Sequence, residues 1–259
     1  IRVWVTETQV GKKAVVVQSI SHPTDSHLIE FCLICDALKR KGVKEIIGVI
    51  PWLGYSKQDK VFRPGEPLSA AVVAKMLEVT ALKKIITYDL HNSNITRFFK
   101  TKIINLSGRK LFREYFINKV DKQTVVVAPD KGARESSARF ARNLGVGIAY
   151  IKKIRDLSSG KITILGISRK VIGKKVLIKD DLIVTGSTLL EAAKFLTKHG
   201  VKSIEVAATH HLYLPGVQKQ IDQSPINSLL VTDTVQPRNG HKKLKIISVA
   251  SKIAKEIRA

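Results

Sequence analysis

A chain of 259 residues, 44% apolar and 25% charged, is long enough to bury one large core or two smaller ones and has the composition of a folded globular protein. No run approaches the ~18 apolar residues that a membrane-spanning helix needs, and no signal peptide is visible, so no membrane partner and a cytoplasmic location are expected. The net charge of +24 points to anionic partners, but the 45 Lys and Arg residues are spread along the chain and only 6% of residues are aromatic, so phosphorylated small molecules are expected and no specific nucleic acid.

Ile1–Val5 reads as a strand. From Ala14 to Pro51 the pattern runs apolar strand, Ser/Thr-rich loop, helix, Lys-Gly-Val-Lys and strand. The same order returns from Lys175 to His211, with His-Gly-Val-Lys after the helix. A basic residue followed by Gly suits a helix C-terminus. The chain therefore carries a loose internal repeat of two βαβ units, each implying a parallel sheet. Cys32 and Cys35 lie in the first of these helices. With no second CxxC they read as reduced thiols packed in a core. A polar, basic loop follows, Gly54–Lys60 and then Arg63–Pro67. Its cations suit phosphates, and Gln58 suits a base or a ribose. Ser69–Thr80 reads as a helix and Lys84–Tyr88 as a strand whose end carries Asp89-Leu90-His91. A His at the carboxyl end of a parallel strand points into the crevice where such sheets bind ligands, as a metal or phosphate contact or as a structural residue.

A boundary is expected near Leu106–Lys110, giving domains 1–107 and 108–259. Thr124–Ala128 reads as a strand, followed by Pro129-Asp130-Lys131-Gly132. Asp130 suits either Mg²⁺ beside phosphates or the cap of a helix over Ala133–Asn143. After the strand Gly147–Ile151 come Lys152-Lys153-Ile154-Arg155 and a stretch, Asp156–Lys161, that reads as a mobile loop. Lys153 and Arg155 on such a loop could close over a transferring phosphoryl group. Then comes the most informative run, Val176–Thr188: a buried strand ending at Lys179, the acids Asp180 and Asp181, and the turn Thr185-Gly186-Ser187-Thr188 before a helix over Leu189–Lys198. Free N–H groups and the dipole at that helix start favour phosphate, and the acids suit sugar hydroxyls, so together they suit a sugar phosphate. An ordinary strand-to-helix turn with a Ser/Thr cap would look similar. Ser228–Thr232 reads as a further strand. The amphipathic last helix, Ser248–Ala259, could pack back on the first domain.

Val176–Thr188 resembles the phosphoribosyl-diphosphate loop of the phosphoribosyltransferase fold. With YSKQD, DLHNSNITRFF, VVVAPDKG and KKIR in that order, nearly the whole chain resembles the ribose-phosphate pyrophosphokinase family. The resemblance implies an α/β fold of two tandem phosphoribosyltransferase-like domains with parallel sheets. It implies transfer of diphosphate from ATP to ribose 5-phosphate, with release of AMP, Mg²⁺ as cofactor and a homo-oligomer. It places Lys57, Gln58, Asp59 and His91 at ATP, and His91 and Asp130 at the metal. It makes Lys153 and Arg155 catalytic. Ribose 5-phosphate falls to Arg155, Asp180, Asp181, Val184, Thr185, Gly186, Ser187 and Thr188. Lys57 stands where Arg is usual, FRPGEPLS looks like the archaeal-type loop, and Val184 stands where many members have Asp, leaving only its backbone to contribute. The family's F-x-D/N-G-E segment, which contacts a neighbouring subunit's ATP, would fall just before Ile1. With Lys153, Arg155, His91 and Asp130 all present, a fragment of an active enzyme is expected ahead of an inactive relative. A phosphoribosyltransferase using the same diphosphate and a non-catalytic regulatory homologue are the alternatives. The first would need neither the DLH motif nor a duplicated domain, and the second should have lost the Lys-x-Arg pair.

Overall fold

The computed structural model describes residues 1–155, 162–238 and 240–259, apart from the side chains at 155 and 162. The chain divides into two compact units, one made of Ile1–Ser107, Thr234–Gln236 and Ser248–Ala259, the other of Gly108–Asp233 and Pro237–Ile247.

The first unit is built on four strands, β1 (Lys13–Val17), β2 (Glu45–Val49), β3 (Lys84–Tyr88) and β4 (Lys102–Leu106). They lie side by side in chain order and all run parallel. Parallel neighbours need crossovers, and the amphipathic helices α1 (Thr24–Arg40) and α2 (Ser69–Glu78) supply two of them. Leu28, Phe31 and Cys35 of α1 pack with Ile46, Ile85, Val73 and Leu77 in one apolar cluster. Cys35 is fully buried and Cys32 half-buried, and both are free thiols. Burial pushes the Cys35 thiol up to about 12 and raises Cys32 as well, so neither is a ready nucleophile. The helix expected over Ser69–Thr80 stops at Glu78, because the Thr80 hydroxyl donates to the Leu77 carbonyl at 2.6 Å and so competes with the helical ladder. The terminal helix, Ala250–Arg258, also belongs to this unit, and Lys84 Nζ donates to the Glu256 carbonyl at 2.6 Å. Ile1–Val5 is not a strand. An apolar run becomes a strand only where a neighbour accepts its ladder, and β1 pairs only with β2 among the described residues.

The second unit carries a seven-stranded sheet in the order β11-β10-β9-β8-β5-β6-β7. The strands are β5 (Thr124–Ala128), β6 (Gly147–Arg155), β7 (Ile162–Ile167), β8 (Lys175–Ile183), β9 (Ser203–His211), β10 (Ser228–Thr232) and β11 (Leu244–Ile247). All pairings are parallel except β6 with β7. The helices are α3 (Gly108–Phe116), α4 (Arg134–Leu144), α5 (Ser187–Lys198) and α6 (Val217–Gln223). One apolar cluster joins β8 and β9 to α5 and α6, and another joins β5 and β8 to α3 and α4.

Two elements are longer than the sequence suggests. β8 does not end at Lys179 but runs on to Ile183, because β9 continues beside it and pairs Asp180 with Ala208 and Ile183 with His211. β6 likewise runs through Lys152–Arg155, because β7 returns antiparallel along it, with a bulge between Lys152 and Lys153. The loop expected at 156–161 lies outside the described residues. α5 begins at Ser187, two residues earlier than the apolar periodicity indicates.

Candidate active site

Strand order in the second unit reverses between β5 and β8: from β5 the sheet grows through β6 and from β8 through β9 and β10. Neighbouring connections therefore leave in opposite directions and open a crevice at the carboxyl ends of these strands, where open α/β sheets bind ligands. The residues following β5, the last part of β6 and the turn after β8 meet there. A cleft of about 370 Å³ is lined by Asp130, Lys131, Gly132, Lys152, Lys153 and Thr188, among others.

Asp130 follows β5, and both readings of it hold at once. Its Oδ1 accepts the N–H of Ala133 at 3.0 Å, which supports the start of α4, while Oδ2 lies 3.6 Å from Lys153 Nζ. The two side chains are 33% and 18% exposed, enough to meet a ligand. Lys153 reaches this position from the residue just after the β6 bulge. Lys152 and Arg134 also line the cleft. Sequence reading passed over both, since nothing local tells a cleft cation from a solvated one. Arg134 has a neighbour to orient it, its guanidinium carbon standing 5.5 Å from the centre of the Tyr150 ring.

From β8 come the two acids and the turn. Asp180 and Asp181 are half-buried at the end of the strand, and the Asp181 N–H donates to Asp180 Oδ1 at 2.9 Å. Desolvation raises the Asp180 carboxyl pKa, helped by a hydrogen bond with Asp181 and by the negative charges of Asp181 and Asp130. Beyond them Thr185 Oγ1 accepts the Ser187 N–H only at 3.5 Å, and Gly186, which turns the chain with φ +71 at the N-cap of α5, adds no capping side chain. That leaves the helix start open to an anion. Thr185 and Ser187 are exposed around it, their hydroxyls 3.2 Å apart, and Thr188 faces the cleft. Val184 is half-buried and offers no side-chain donor.

Three of the predicted motifs, at Asp130, Lys153 and Thr188, thus share one cleft. The side chain of Arg155 is not among those described. The remaining residues lie in the first unit, at the carboxyl ends of β2 and β3. Lys57 is exposed. Gln58 accepts from the Ser69 hydroxyl, and its carbonyl accepts the N–H of Ala70 at 3.1 Å at the start of α2. Asp59 is turned inward, 8% exposed, and its Oδ2 accepts from Asn92 Nδ2 at 2.6 Å. The QD loop is thereby tied to the loop that carries exposed His91. Sequence reading missed Asn92, because its role rests on a partner 33 residues away.

Among the described residues no group of three His, Cys, Asp or Glu could hold a metal alone.

A duplicated parallel α/β architecture with a sugar-phosphate turn at a switch point defines a protein of the phosphoribosyltransferase fold class. Residues 1–80 match the N-terminal domain of ribose phosphate pyrophosphokinase and residues 94–235 the phosphoribosyl transferase domain. A ribose-phosphate pyrophosphokinase of Helicobacter hepaticus is 34% identical over 258 residues, covering 100% of this chain and 83% of that one. Its counterpart from Pyrococcus abyssi is 37% identical over 225 residues, 87% of this chain and 78% of that one. The crystal structure of phosphoribosylpyrophosphate synthetase from Mycobacterium smegmatis superposes with a TM-score of 0.87 at 32% identity, covering 95% of this chain and 82% of that one. The chain belongs to the ribose-phosphate pyrophosphokinase family.

Proposed function

We infer that this protein synthesises 5-phosphoribosyl 1-diphosphate by transferring the β,γ-diphosphoryl group of ATP to the 1-hydroxyl of ribose 5-phosphate, releasing AMP. The observation that carries the reading is the cleft at the switch point, where a cation, a carboxylate and the sugar-phosphate turn stand together. In this reading the 5-phosphate sits on the turn from Val184 to Thr188. Its charge meets the start of α5 and the hydroxyls of Thr185, Ser187 and Thr188. Asp180 and Asp181 accept from the ribose hydroxyls and fix the ring, so that the 1-hydroxyl can attack the β-phosphorus in line. The Lys153 ammonium neutralises charge that builds as AMP departs, with Arg155 assigned the same task and a share in holding the sugar phosphate. Nucleotide recognition falls to Lys57, Gln58 and His91, while Asp59 holds their loops together through Asn92. The family resemblance assigns Asp130 in the second unit and His91 in the first to Mg²⁺, which would supply charge to screen the phosphate oxygens.

Family membership supports ATP and ribose 5-phosphate as substrates and a homo-oligomer as the assembly. No described helix is long and apolar enough to cross a membrane, which agrees with a cytoplasmic enzyme.

Asp180 supplies a pH test. Its raised carboxyl pKa means that part of the population is protonated where an ordinary Asp is not. Sugar hydroxyls donate to the ionised form, so binding must drive that proton off. Affinity for ribose 5-phosphate should therefore rise with pH, and titration calorimetry in buffers of different ionisation heat should register proton release. Asp180→Asn should remove that component and leave only the ligand's own phosphate titration. A proton release identical in both proteins would detach the acids from the sugar.

A further inference from the structure

Behind the sugar-phosphate turn runs a chain of side-chain hydrogen bonds that the reaction above does not use. His211, the last residue of β9, is fully buried. Its Nδ1 accepts the backbone N–H of Tyr213 at 2.9 Å, which places the ring proton on Nε2. Nε2 donates to Gln218 Oε1 at 3.0 Å. Gln218 Nε2 donates in turn to Asp222 Oδ1 at 2.9 Å, and Asp222 Oδ2 accepts from His241 Nδ1 at 2.8 Å. Each donor meets an acceptor, so the partners themselves set the tautomer of His211 and the orientation of the Gln218 amide. Burial pushes His211 down to about 4 and keeps it neutral. The Tyr213 ring stacks on it with centroids 4.1 Å apart and planes 3° from parallel.

This chain anchors α6, which carries both Gln218 and Asp222 one turn apart. The other face of α6 backs the turn. A Cβ added at Gly186 would lie 3.4 Å from Val217 Cγ1 and 3.9 Å from Ile221 Cδ1, both in α6. The N–H of Leu212 donates to the carbonyl of Ile183 at 3.0 Å, joining the segment before α6 to the residue before Val184. Polar groups buried behind a turn cost stability unless all are satisfied, and a satisfied network holds one geometry where apolar packing would allow several.

We propose that His211 and Gln218 are positioning residues for the sugar-phosphate turn: their hydrogen-bonded chain fixes α6 against Gly186 and so sets the backbone that meets the phosphate. The proposal rests on the reading that this turn binds ribose 5-phosphate. It acts through α6 and involves no contact with the substrate.

The test compares amide hydrogen exchange across residues 184–188 with calorimetric affinity for ribose 5-phosphate. Gln218→Leu leaves the His211 Nε2–H without an acceptor and Asp222 Oδ1 without the Gln218 donor. Exchange at 184–188 and in α6 should quicken about tenfold or more and the affinity fall about tenfold, with β5 exchanging as in the wild type. The double variant Gln218→Glu/Asp222→Asn exchanges amide and carboxylate while keeping every donor opposite an acceptor, and it should restore both readouts. Tyr213→Phe, which removes a buried hydroxyl that has no hydrogen-bond partner among the described residues, should leave the turn unchanged. Unchanged exchange at 184–188 in Gln218→Leu would overturn the proposal. So would a uniform quickening across the second unit, which marks ordinary loss of stability. If Gln218→Leu does not fold, the double variant decides: wild-type exchange at the turn supports the chain, and a quickened turn in an intact fold refutes it. If the wild-type protein fails to bind ribose 5-phosphate, the functional reading falls, while the exchange data still judge the positioning role.

Discussion

Lys153→Ala should lower turnover by roughly 10²–10³-fold while both substrates still bind. The expectation follows from where the ammonium stands. Lys153 Nζ is 3.6 Å from Asp130 Oδ2 in a cleft that also holds Thr188 of the sugar-phosphate turn. The substrates are already charged before reaction and have other partners in the reading above. The charge that shifts onto the bridging oxygen and the departing AMP exists only in the transition state, and that is where a fixed cation contributes most. A loss of ~10²–10³ corresponds to about 2.7–4 kcal/mol, the usual size for removing one preorganised charge donor. Lysine is the sharper choice for the experiment, since its compact charge has no planar substitute, whereas Arg155 is assigned to the sugar phosphate as well. AMP release under saturating substrates, beside equilibrium binding of each, separates the two effects. Wild-type turnover in this variant would refute the assignment, and a parallel loss of binding and turnover would make Lys153 a substrate-binding residue only.

Gly186→Val should cost at least tenfold in affinity for ribose 5-phosphate, and should do so through the backbone. The residue has φ +71, a conformation that costs an L side chain on the order of 1–2 kcal/mol and a β-branched one more. Its added Cβ would already stand in van der Waals contact with Val217 at 3.4 Å, leaving little room for the two methyl groups of valine. The turn must then either relax out of its left-handed residue or push α6 away, and both shift the start of α5 that faces the phosphate. Gly186→Asn, which tolerates the left-handed region, should lose much less. Equal, small losses in both variants would show that this backbone does not set the phosphate site.

What the sequence disclosed and what it hid follow from the range of the interactions involved. The βαβ repeat was legible because apolar runs, basic helix ends and the following glycines are local signals, and both copies fold as such. The turn at Thr185–Thr188 was legible for the same reason. The apolar pattern puts the acids just beyond the end of the strand, yet they lie on it. A charged pair breaks an apolar run, but the partner strand β9 still completes its ladder. Lys152 and Lys153 lie on a strand for the same reason, since β7, the next strand in the chain, returns antiparallel and pairs with them. Asp59 illustrates a further limit. The resemblance places it at ATP, and the fold turns its side chain inward to Asn92, a partner no local pattern reveals. The chain from His211 to His241 left no trace in the pattern, because its members are spaced irregularly and meet only once α6 and the segment before β11 have packed. The cleft itself arises from strand order, a property of the whole sheet.

The most direct test of the central claim follows the phosphates. The active enzyme is given ribose 5-phosphate, Mg²⁺ and ATP labelled in its γ-phosphate, and the products are separated. The account predicts AMP and labelled 5-phosphoribosyl 1-diphosphate in equal amounts, with neither formed when ribose 5-phosphate is left out. Release of ADP, or label appearing only as orthophosphate, would contradict transfer of the diphosphoryl group.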